Sequence, residues 1–128
     1  MLQAVAEHYG IDSPLIPKIA TGFCSGLSRT KGMCGALSGS IMAIGIVYGR
    51  EDADDVLDHA YSKVQAFLRI FKQQYGSVNC FELIGYDLST PEGREQFKSS
   101  GTRSKCQGYT GSAVRMAAGL FEDEDYVK

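Results

Sequence analysis

An all-α fold, a compact single-domain bundle of five or six helices, is predicted by three observations. Apolar residues in several segments recur every three or four positions, the period of a helix that buries one face. No segment alternates polar and apolar residues in the manner of a strand. The 128 residues, 44% of them hydrophobic, suffice for one core but not for two ordinary domains. We therefore treat residues 1–128 as one helical domain.

The first two predicted helices are short. The segment "LQAVAEHYG" has apolar residues at helical spacing and ends at Gly10, which suits a helix C-terminus. Ser13 and Pro14 match an N-cap followed by proline at the first helical position, so they predict a second helix that reaches about Thr21. The following stretch, "GFCSGLSRTKG", is typical of a glycine-rich loop.

A central helix, from about Met33 to Tyr48, is apolar or small on every side. The segment Met33–Gly49 contains no charged residue, which raises the question of a membrane span. Its length is at the lower limit for spanning, and its glycines and serines dilute the hydrophobicity. We predict a buried core helix instead, and no membrane span.

The clearest amphipathic helix is predicted from Ala53 to Tyr75. The preceding "REDADD" supplies acidic residues, which favour a helix N-terminus. Apolar residues then step by three and four along one face: Val56, Leu57, Ala60, Val64, Phe67, Leu68, Phe71 and Tyr75.

Two more helix starts and a last long helix complete the bundle. Asn79, with Glu82 three residues later, matches a capping box, in which each side chain satisfies a backbone N–H of the other residue. Thr90 followed by Pro91 matches a second N-terminus. A final helix is predicted over about Ser104–Phe121.

The charge balance excludes a nucleic-acid partner. Thirteen basic and 15 acidic residues give a formal net charge of -2, so the chain lacks the basic surface that phosphate backbones require. The acidic tail "FEDEDYVK" is interpreted as a solvated terminus. The N-terminal residues lack the basic and apolar regions of a secretory signal, which predicts a cytoplasmic protein.

Four cysteines are the main candidates for chemistry. In a reducing compartment they are metal ligands, catalytic thiols or core residues rather than a disulfide framework. Cys34, Cys80 and Cys106 each fall within the first turn or so of a predicted helix. Unpaired N–H groups and the helix dipole stabilise a thiolate there, which predicts a lowered pKa. Their wide separations do not match a C-x-x-C motif, so tertiary packing must assemble any site.

Small residues surround Cys34. We expect Gly35 and Gly39 to let a neighbouring backbone approach the central helix, and Gly32 to free the turn that presents N–H groups near the thiol. Together with Ala36, they leave room for a group larger than a thiol. Helix packing alone is the alternative explanation.

The segment "GMCGALSG", followed by "GSVNC" and a late "KC", resembles the C_GCAxxG_C_C family of redox-active proteins. The C-G-A-x-x-G core and the later cysteines are Cys34, Gly35, Ala36, Gly39, Cys80 and Cys106. The resemblance covers essentially the whole chain, including "HYGI" and "ATGF". It implies a small helical protein with four cysteines that is redox-active or holds a metal centre.

The chain departs from this pattern at the first cysteine. In the family, that cysteine lies in an N-terminal helix, upstream of the segment that matches "LQAVAEHYG", and this chain begins after that point. Either the N-terminal segment is missing, or Cys24 takes its place in a loop where relatives tend to have glycine or another small residue. A similar domain occurs in split-Soret-type cytochromes, but no C-x-x-C-H is present, so covalent haem is excluded.

Three functions are consistent with these patterns. In the first, Cys34, Cys80 and Cys106, with Cys24 or the missing segment as fourth ligand, hold an iron–sulfur cluster or another thiophilic metal for electron transfer or redox sensing. In the second, the chain is an oxidoreductase whose metal-free thiols exchange with disulfides, Cys34 attacking and Cys80 or Cys106 resolving. In the third, it is a non-catalytic interaction domain with cysteines in its core. We expect a redox partner protein, and self-association into a homo-oligomer stays open.

Overall fold

The computed structural model describes residues 1–121 and confirms the all-α bundle. Within that range it contains seven α-helices: α1 (Leu2–His8), α2 (Leu15–Ala20), α3 (Gly35–Tyr48), α4 (Asp58–Tyr75), α5 (Cys80–Ile84), α6 (Pro91–Ser100) and α7 (Arg103–Leu120). A 3₁₀ turn, Thr21–Phe23, and a tight turn, Cys24–Arg29, connect α2 to the segment before α3. The prediction for the acidic tail concerns residues 122–128, which lie outside the described range.

Helix α3 lies at the centre and packs against α1, α4 and α7. Its buried residues are Leu37, Ser38, Ser40, Ala43, Ile44 and Tyr48. The buried Ser40 hydroxyl is satisfied because it donates to the Ala36 carbonyl at 2.8 Å. The predicted core helix is therefore confirmed, and none of the helices described is long and apolar enough to cross a membrane.

Aromatic side chains from α4 and alanines from α7 close the core around α3. Phe67 and Phe71 are fully buried, and the small Ala113 and Ala117 let α7 approach closely. The Tyr48 hydroxyl donates to the carbonyl of Leu120 at 2.9 Å, which ties the end of α3 to the end of α7. The polar groups at the core edge thus also hold the helices in register.

Helix α4 begins at Asp58, so the prediction that it begins at Ala53 is wrong. The Asp55 carboxylate accepts hydrogen bonds from the N–H groups of Glu51 at 2.9 Å and Asp52 at 3.0 Å. These bonds close a local turn, in which an acidic side chain competes with the helical backbone for the same N–H donors. Val56, which we predicted on the apolar face, is 77% exposed.

The two predicted N-caps of the later helices differ in outcome. At α6, the Thr90 hydroxyl accepts from the Gly93 N–H at 3.0 Å, as predicted. At α5, the capping box is wrong, because the Asn79 side chain makes no cap hydrogen bond and instead approaches Glu82 at 3.5 Å. The hydroxyl of Ser77, which precedes the helix, accepts a hydrogen bond from the Asn79 N–H at 3.1 Å and so stabilises the helix start.

The glycine-rich loop contains a feature that the sequence does not predict. Residues 25–29 all have positive φ, between 51° and 68°, and form one left-handed turn. Only Gly26 among them lacks a Cβ, and each of the others costs about 1–2 kcal/mol in this conformation. The N–H groups of Thr30 and Gly32 both donate to the Gly26 carbonyl, at 3.2 and 3.0 Å, and close the turn.

Candidate functional site

Two backbone hydrogen bonds place the start of α3 beside the start of α5. An isolated antiparallel bridge joins the segments that precede the two helices. The Cys34 N–H donates to the Val78 carbonyl at 2.9 Å, and the Cys80 N–H donates to the Gly32 carbonyl at 2.8 Å. Both cysteines are therefore held by main-chain bonds, so their side chains start from fixed and adjacent positions.

Three of the four cysteines line one cavity of about 220 Å³. Cys34 is the N-cap of α3, Cys80 is the first residue of α5, and Cys106 lies in the first turn of α7. The prediction that each lies at or near a helix start is confirmed, and all three are half-buried free thiols. The rest of the wall consists of Ser25, Gly26, Gly35, Ala36, Ile84, Leu88, Phe97 and Thr110.

Close backbone approach explains two of the glycines and not a third. A Cβ at Gly26 would lie 2.5 Å from Cys80 Cβ and 3.2 Å from its Sγ, so a side chain there would displace the thiol. A Cβ at Gly35 would lie 3.3 Å from Cys24 Cα, which confirms the close approach predicted there. At Gly39 the prediction of close packing is wrong, because nothing lies within 4 Å of a Cβ.

Gly32 and Ala36 act on the site in different ways. Gly32 is outside the cavity wall, but its N–H donates to the Gly26 carbonyl while its carbonyl accepts the Cys80 N–H. It therefore links the left-handed turn to the helix that carries Cys80. Ala36 lies in the wall, and its backbone N–H interacts with the Cys34 sulfur.

Burial raises the pKa of the cavity thiols. For Cys34, burial outweighs the backbone N–H groups of Ala36 and Leu37, which act to lower its pKa. Burial, together with the charges of Cys34 and Cys106, raises the pKa of Cys80 to about 11. The predicted lowering is therefore wrong for the metal-free protein, because the helix N-terminus stabilises the thiolate less than burial destabilises it.

Cys106 and Tyr109 lie close enough to the other thiols to feel their charge. Burial and then Cys34 raise the pKa of Cys106, while Arg103 lowers it. Burial and then Cys106 raise the pKa of Tyr109, whose hydroxyl donates to the Leu83 carbonyl at 2.9 Å. Tyr109 thus sits near the thiols and fastens the end of α5 to α7, although it is not in the cavity wall.

Cys24 lies apart from the other three cysteines. It is exposed and lines a different pocket, with Thr21, Ser28 and Arg29 among its neighbours. Its Sγ donates a weak hydrogen bond to the Ala20 carbonyl at 3.8 Å. The structure does not bring Cys24 into the cavity.

The donors that line this cavity are three thiols. Three cysteine sulfurs from three helices are the kind of ligand that iron–sulfur clusters take. Within residues 1–121, no three Cys, His, Asp or Glu side chains are close enough together to hold a single metal ion. Cys34, Cys80 and Cys106 line one shared cavity.

Several wall residues were not assigned to the site from the sequence, and Leu88, Phe97 and Gly26 show why. Leu88, before α6, and Phe97, on α6, were unremarkable apolar positions in the sequence, and only the packing of α6 brings them to the cavity. Gly26 had a weak signal, since it stands in the glycine-rich loop that precedes Cys34. Its contact with Cys80 depends on the left-handed turn.

Comparison with known families now adds to this geometry. Residues 1–120 match the family model described as "Putative redox-active protein (C_GCAxxG_C_C)". The chain belongs to the C_GCAxxG_C_C family. The resemblance that we based on the segment around Cys34 and on the later cysteines is thus confirmed over nearly the whole chain. No curated protein and no solved structure matches it.

The description of the C_GCAxxG_C_C family as redox-active is what membership adds for this chain. Three cysteines of this family member share the cavity. Cys34 begins the C-G-A-x-x-G segment, and Cys80 and Cys106 follow it in the chain. The wall of that cavity also includes two motif positions, Gly35 and Ala36. The motif therefore lies where the three cysteine-bearing helices meet.

Proposed function

We propose that this C_GCAxxG_C_C protein binds an iron–sulfur cluster through Cys34, Cys80 and Cys106 and serves in electron transfer or redox sensing. The observation that carries the proposal is the shared cavity, which three thiols from three helices enter. The family's description as redox-active supports the same conclusion. Another thiophilic metal, zinc or copper(I), is the nearest variant, because thiolates select soft cations.

The spacing of the thiols favours a cluster over a single ion. No three metal-binding side chains in the described part of the chain form a group that could hold one ion, whereas the thiolates of an iron–sulfur cluster are distributed over two or more iron atoms. When bound, a cluster supplies one-electron redox chemistry. Ile84, Leu88 and Phe97 in the wall would shield it from water.

The protein's own part in this function is to fix the positions of ligands that lose their protons when a metal binds. Main-chain hydrogen bonds hold Cys34 and Cys80, and α7 presents Cys106. Because these thiols have raised pKa values, they are protonated at neutral pH and must release protons when they bind a metal. We therefore expect loading to become more favourable as pH rises.

Metal-free thiol–disulfide exchange is the second candidate function. The observation that favours it is that three free thiols face one cavity, so an attacking and a resolving cysteine are available together. It needs a thiolate at neutral pH, and the raised pKa of Cys34 weighs against that. For this reason we rank it below the cluster.

The deciding experiment is the iron and acid-labile sulfide content of protein purified without oxygen, together with its visible absorption. We expect iron and sulfide to copurify with the wild-type chain and to be lost from Cys34→Ser, Cys80→Ser and Cys106→Ser. Circular dichroism of each variant checks that the helices remain.

Cys24→Ser is the matched control, because it removes a thiol that is exposed and outside the cavity. It should retain its iron and sulfide. Four free thiols without iron, zinc or copper in the wild-type protein would contradict the proposal and favour thiol–disulfide exchange. Equal loss of iron in Cys24→Ser would contradict the assignment of the site to this cavity.

A further inference from the structure

A second, larger cavity lies beside the cysteine cavity. It has a volume of about 460 Å³, and four cationic side chains line it: Arg29, Arg94, Lys98 and Arg103. We call it the basic pocket. The whole chain has a formal net charge of -2, so this cluster is a local concentration of positive charge on an acidic protein.

Within residues 1–121, the basic pocket has an excess of positive charge from these four cations. None of the four forms an ion pair with any residue in the described range, and Glu95 is the one carboxylate in the wall. Arg94 is half-buried, and its Nη1 donates to the Leu88 carbonyl at 2.9 Å, which orients the guanidinium group. Like charges gathered without a counter-ion repel each other, so an anion bound among them would be stabilised.

Two of these cations occupy positions that local structure disfavours. Arg29 belongs to the left-handed turn, with a φ of 68°. Arg103 is the first residue of α7, where the helix dipole favours an acidic side chain over a basic one. Local backbone energetics favour neither placement, and strained backbone positions cluster at ligand sites.

We propose that the basic pocket binds a small organic anion that carries a phosphate or carboxylate group. The arginine side chains would pair with the anionic oxygens, for which the guanidinium fork is suited. Leu88, Pro91 and Phe97 supply an apolar wall for the rest of the molecule. The volume falls within the roughly 300–1,000 Å³ of small-molecule sites.

The bound anion would lie next to the thiols. Ser25, Leu88 and Phe97 line both the basic pocket and the cysteine cavity, so the two spaces share a wall. The ligand would therefore lie beside the cysteines and act on them as a substrate or as an effector. The inference does not depend on whether the cysteines hold a metal.

The test is titration calorimetry of the full chain with phenyl phosphate and with benzoate, which separate a phosphate from a carboxylate preference. Inorganic phosphate tests charge alone, and benzyl alcohol tests the apolar wall alone. We expect one of the two aromatic anions to bind saturably and more tightly than either single-feature probe. The double variant Arg94→Gln/Lys98→Gln should weaken that binding about tenfold or more.

Arg69→Gln/Lys72→Gln is the matched control, because it removes two exposed cations from α4, away from the pocket. It should bind as the wild-type does. If the pocket double variant does not fold, Lys98→Glu, at an exposed position, must give the same loss. Absence of saturable binding, equal loss in the control, or equally tight binding of benzyl alcohol would overturn the proposal. The iron content of Lys98→Glu should not change, so this test fails or succeeds separately from the cluster.

Discussion

Burial raises the pKa of all three cavity thiols, and opposing influences act at Cys34 and Cys106. The helix starts offer N–H groups, as Ala36 and Leu37 do to the sulfur of Cys34, and these favour the thiolate. Burial disfavours it and prevails at all three thiols, and the charges of neighbouring sulfurs raise the pKa further at Cys80 and Cys106. A cation in the cavity reverses this balance, because it replaces mutual repulsion among thiolates with attraction to the metal.

The metal-free protein should therefore have unreactive cavity thiols at neutral pH. With a pKa of about 11 in place of 9.0, Cys80 has a thiolate fraction at neutral pH that is about a hundredfold smaller than that of an ordinary cysteine. We expect iodoacetamide to label Cys80 slowly at pH 7 and progressively faster as pH rises towards 11. Exposed Cys24 should be labelled first. Peptide mass spectrometry after timed labelling gives the four rates.

Urea-unfolded protein is the control, since all four cysteines should then react at similar rates. The folded chain would refute this expectation if Cys34 reacted faster at pH 7 than it does after unfolding. Such a result would mean a lowered pKa, and it would restore thiol–disulfide exchange as the leading function.

At the scale of elements, the left-handed turn is the piece that shapes the site. Its residues 25–29 carry the chain from the exposed Cys24 segment to the bridge before α3. Gly26 is a contact point, because a Cβ at this position would lie 2.5 Å from Cys80 Cβ. The turn therefore positions α5 through a glycine that has no room for a side chain.

Gly26→Ala should destabilise the protein strongly. The new methyl group would collide with Cys80 Cβ, 2.5 Å away, and would sit on a backbone with a φ of 66°. Overpacking and the left-handed conformation together predict a loss of about 2–4 kcal/mol in the free energy of unfolding. Urea denaturation followed by circular dichroism measures it.

Gly45→Ala in α3 is the matched control for this substitution. Gly45 is exposed, and nothing lies within 4 Å of a Cβ built there. Alanine in the middle of a helix should raise the free energy of unfolding by about 0.5–1 kcal/mol. If Gly26→Ala were as stable as Gly45→Ala, the close contact with Cys80 would not exist in solution.

The long helices and the cysteine positions could be predicted from sequence, because their signals are local. Phe67 and Phe71 follow helical periodicity and are buried, and Cys34 and Cys80 stand at recognisable helix starts. The start of α4 was misplaced because the side chain of Asp55 captured N–H groups that a helix would use. Acidic residues favour both a helix N-terminus and a local turn, so the sequence pattern does not distinguish the two.

The left-handed turn and the cavity wall could not be predicted, for a different reason. Ser25 and Leu27 have positive φ, which their own preferences oppose, so the rest of the fold imposes it. Phe97 reaches the cysteines only because α6 packs beside α7. Such features depend on contacts between distant segments, and local periodicity carries no information about them.

At the scale of the whole molecule, the cavity joins three parts of the bundle that are far apart in the chain. Cys34 belongs to the central α3, Cys80 to the short α5, and Cys106 to the long α7. A group bound by all three cysteines connects these helices in the folded state. Unfolding separates the cysteines and destroys the site. Binding at the cavity is therefore coupled to global stability.

Removing the metal should lower the unfolding temperature of the entire domain. A ligand held in the folded state at a hundredfold excess over its dissociation constant contributes about 2.7 kcal/mol, which corresponds to roughly 5 °C or more for a chain of this size. We expect this difference between iron-loaded and chelator-treated protein, measured by circular dichroism under nitrogen. Cys106→Ser should abolish it and Cys24→Ser should retain it. An unchanged unfolding temperature on loading would contradict the assignment of ligands to three helices.

The handedness of the turn at residues 25–29 has a consequence for chemical synthesis. A left-handed backbone is the mirror image of the conformation that L-residues prefer, and it is therefore the conformation that D-residues prefer. A chain assembled by ligation with D-serine at Ser25 and Ser28 should keep this turn with less strain, whereas the same replacement inside α3 should disrupt the helix. In this small segment, mirror-image amino acids would suit the fold better than natural ones.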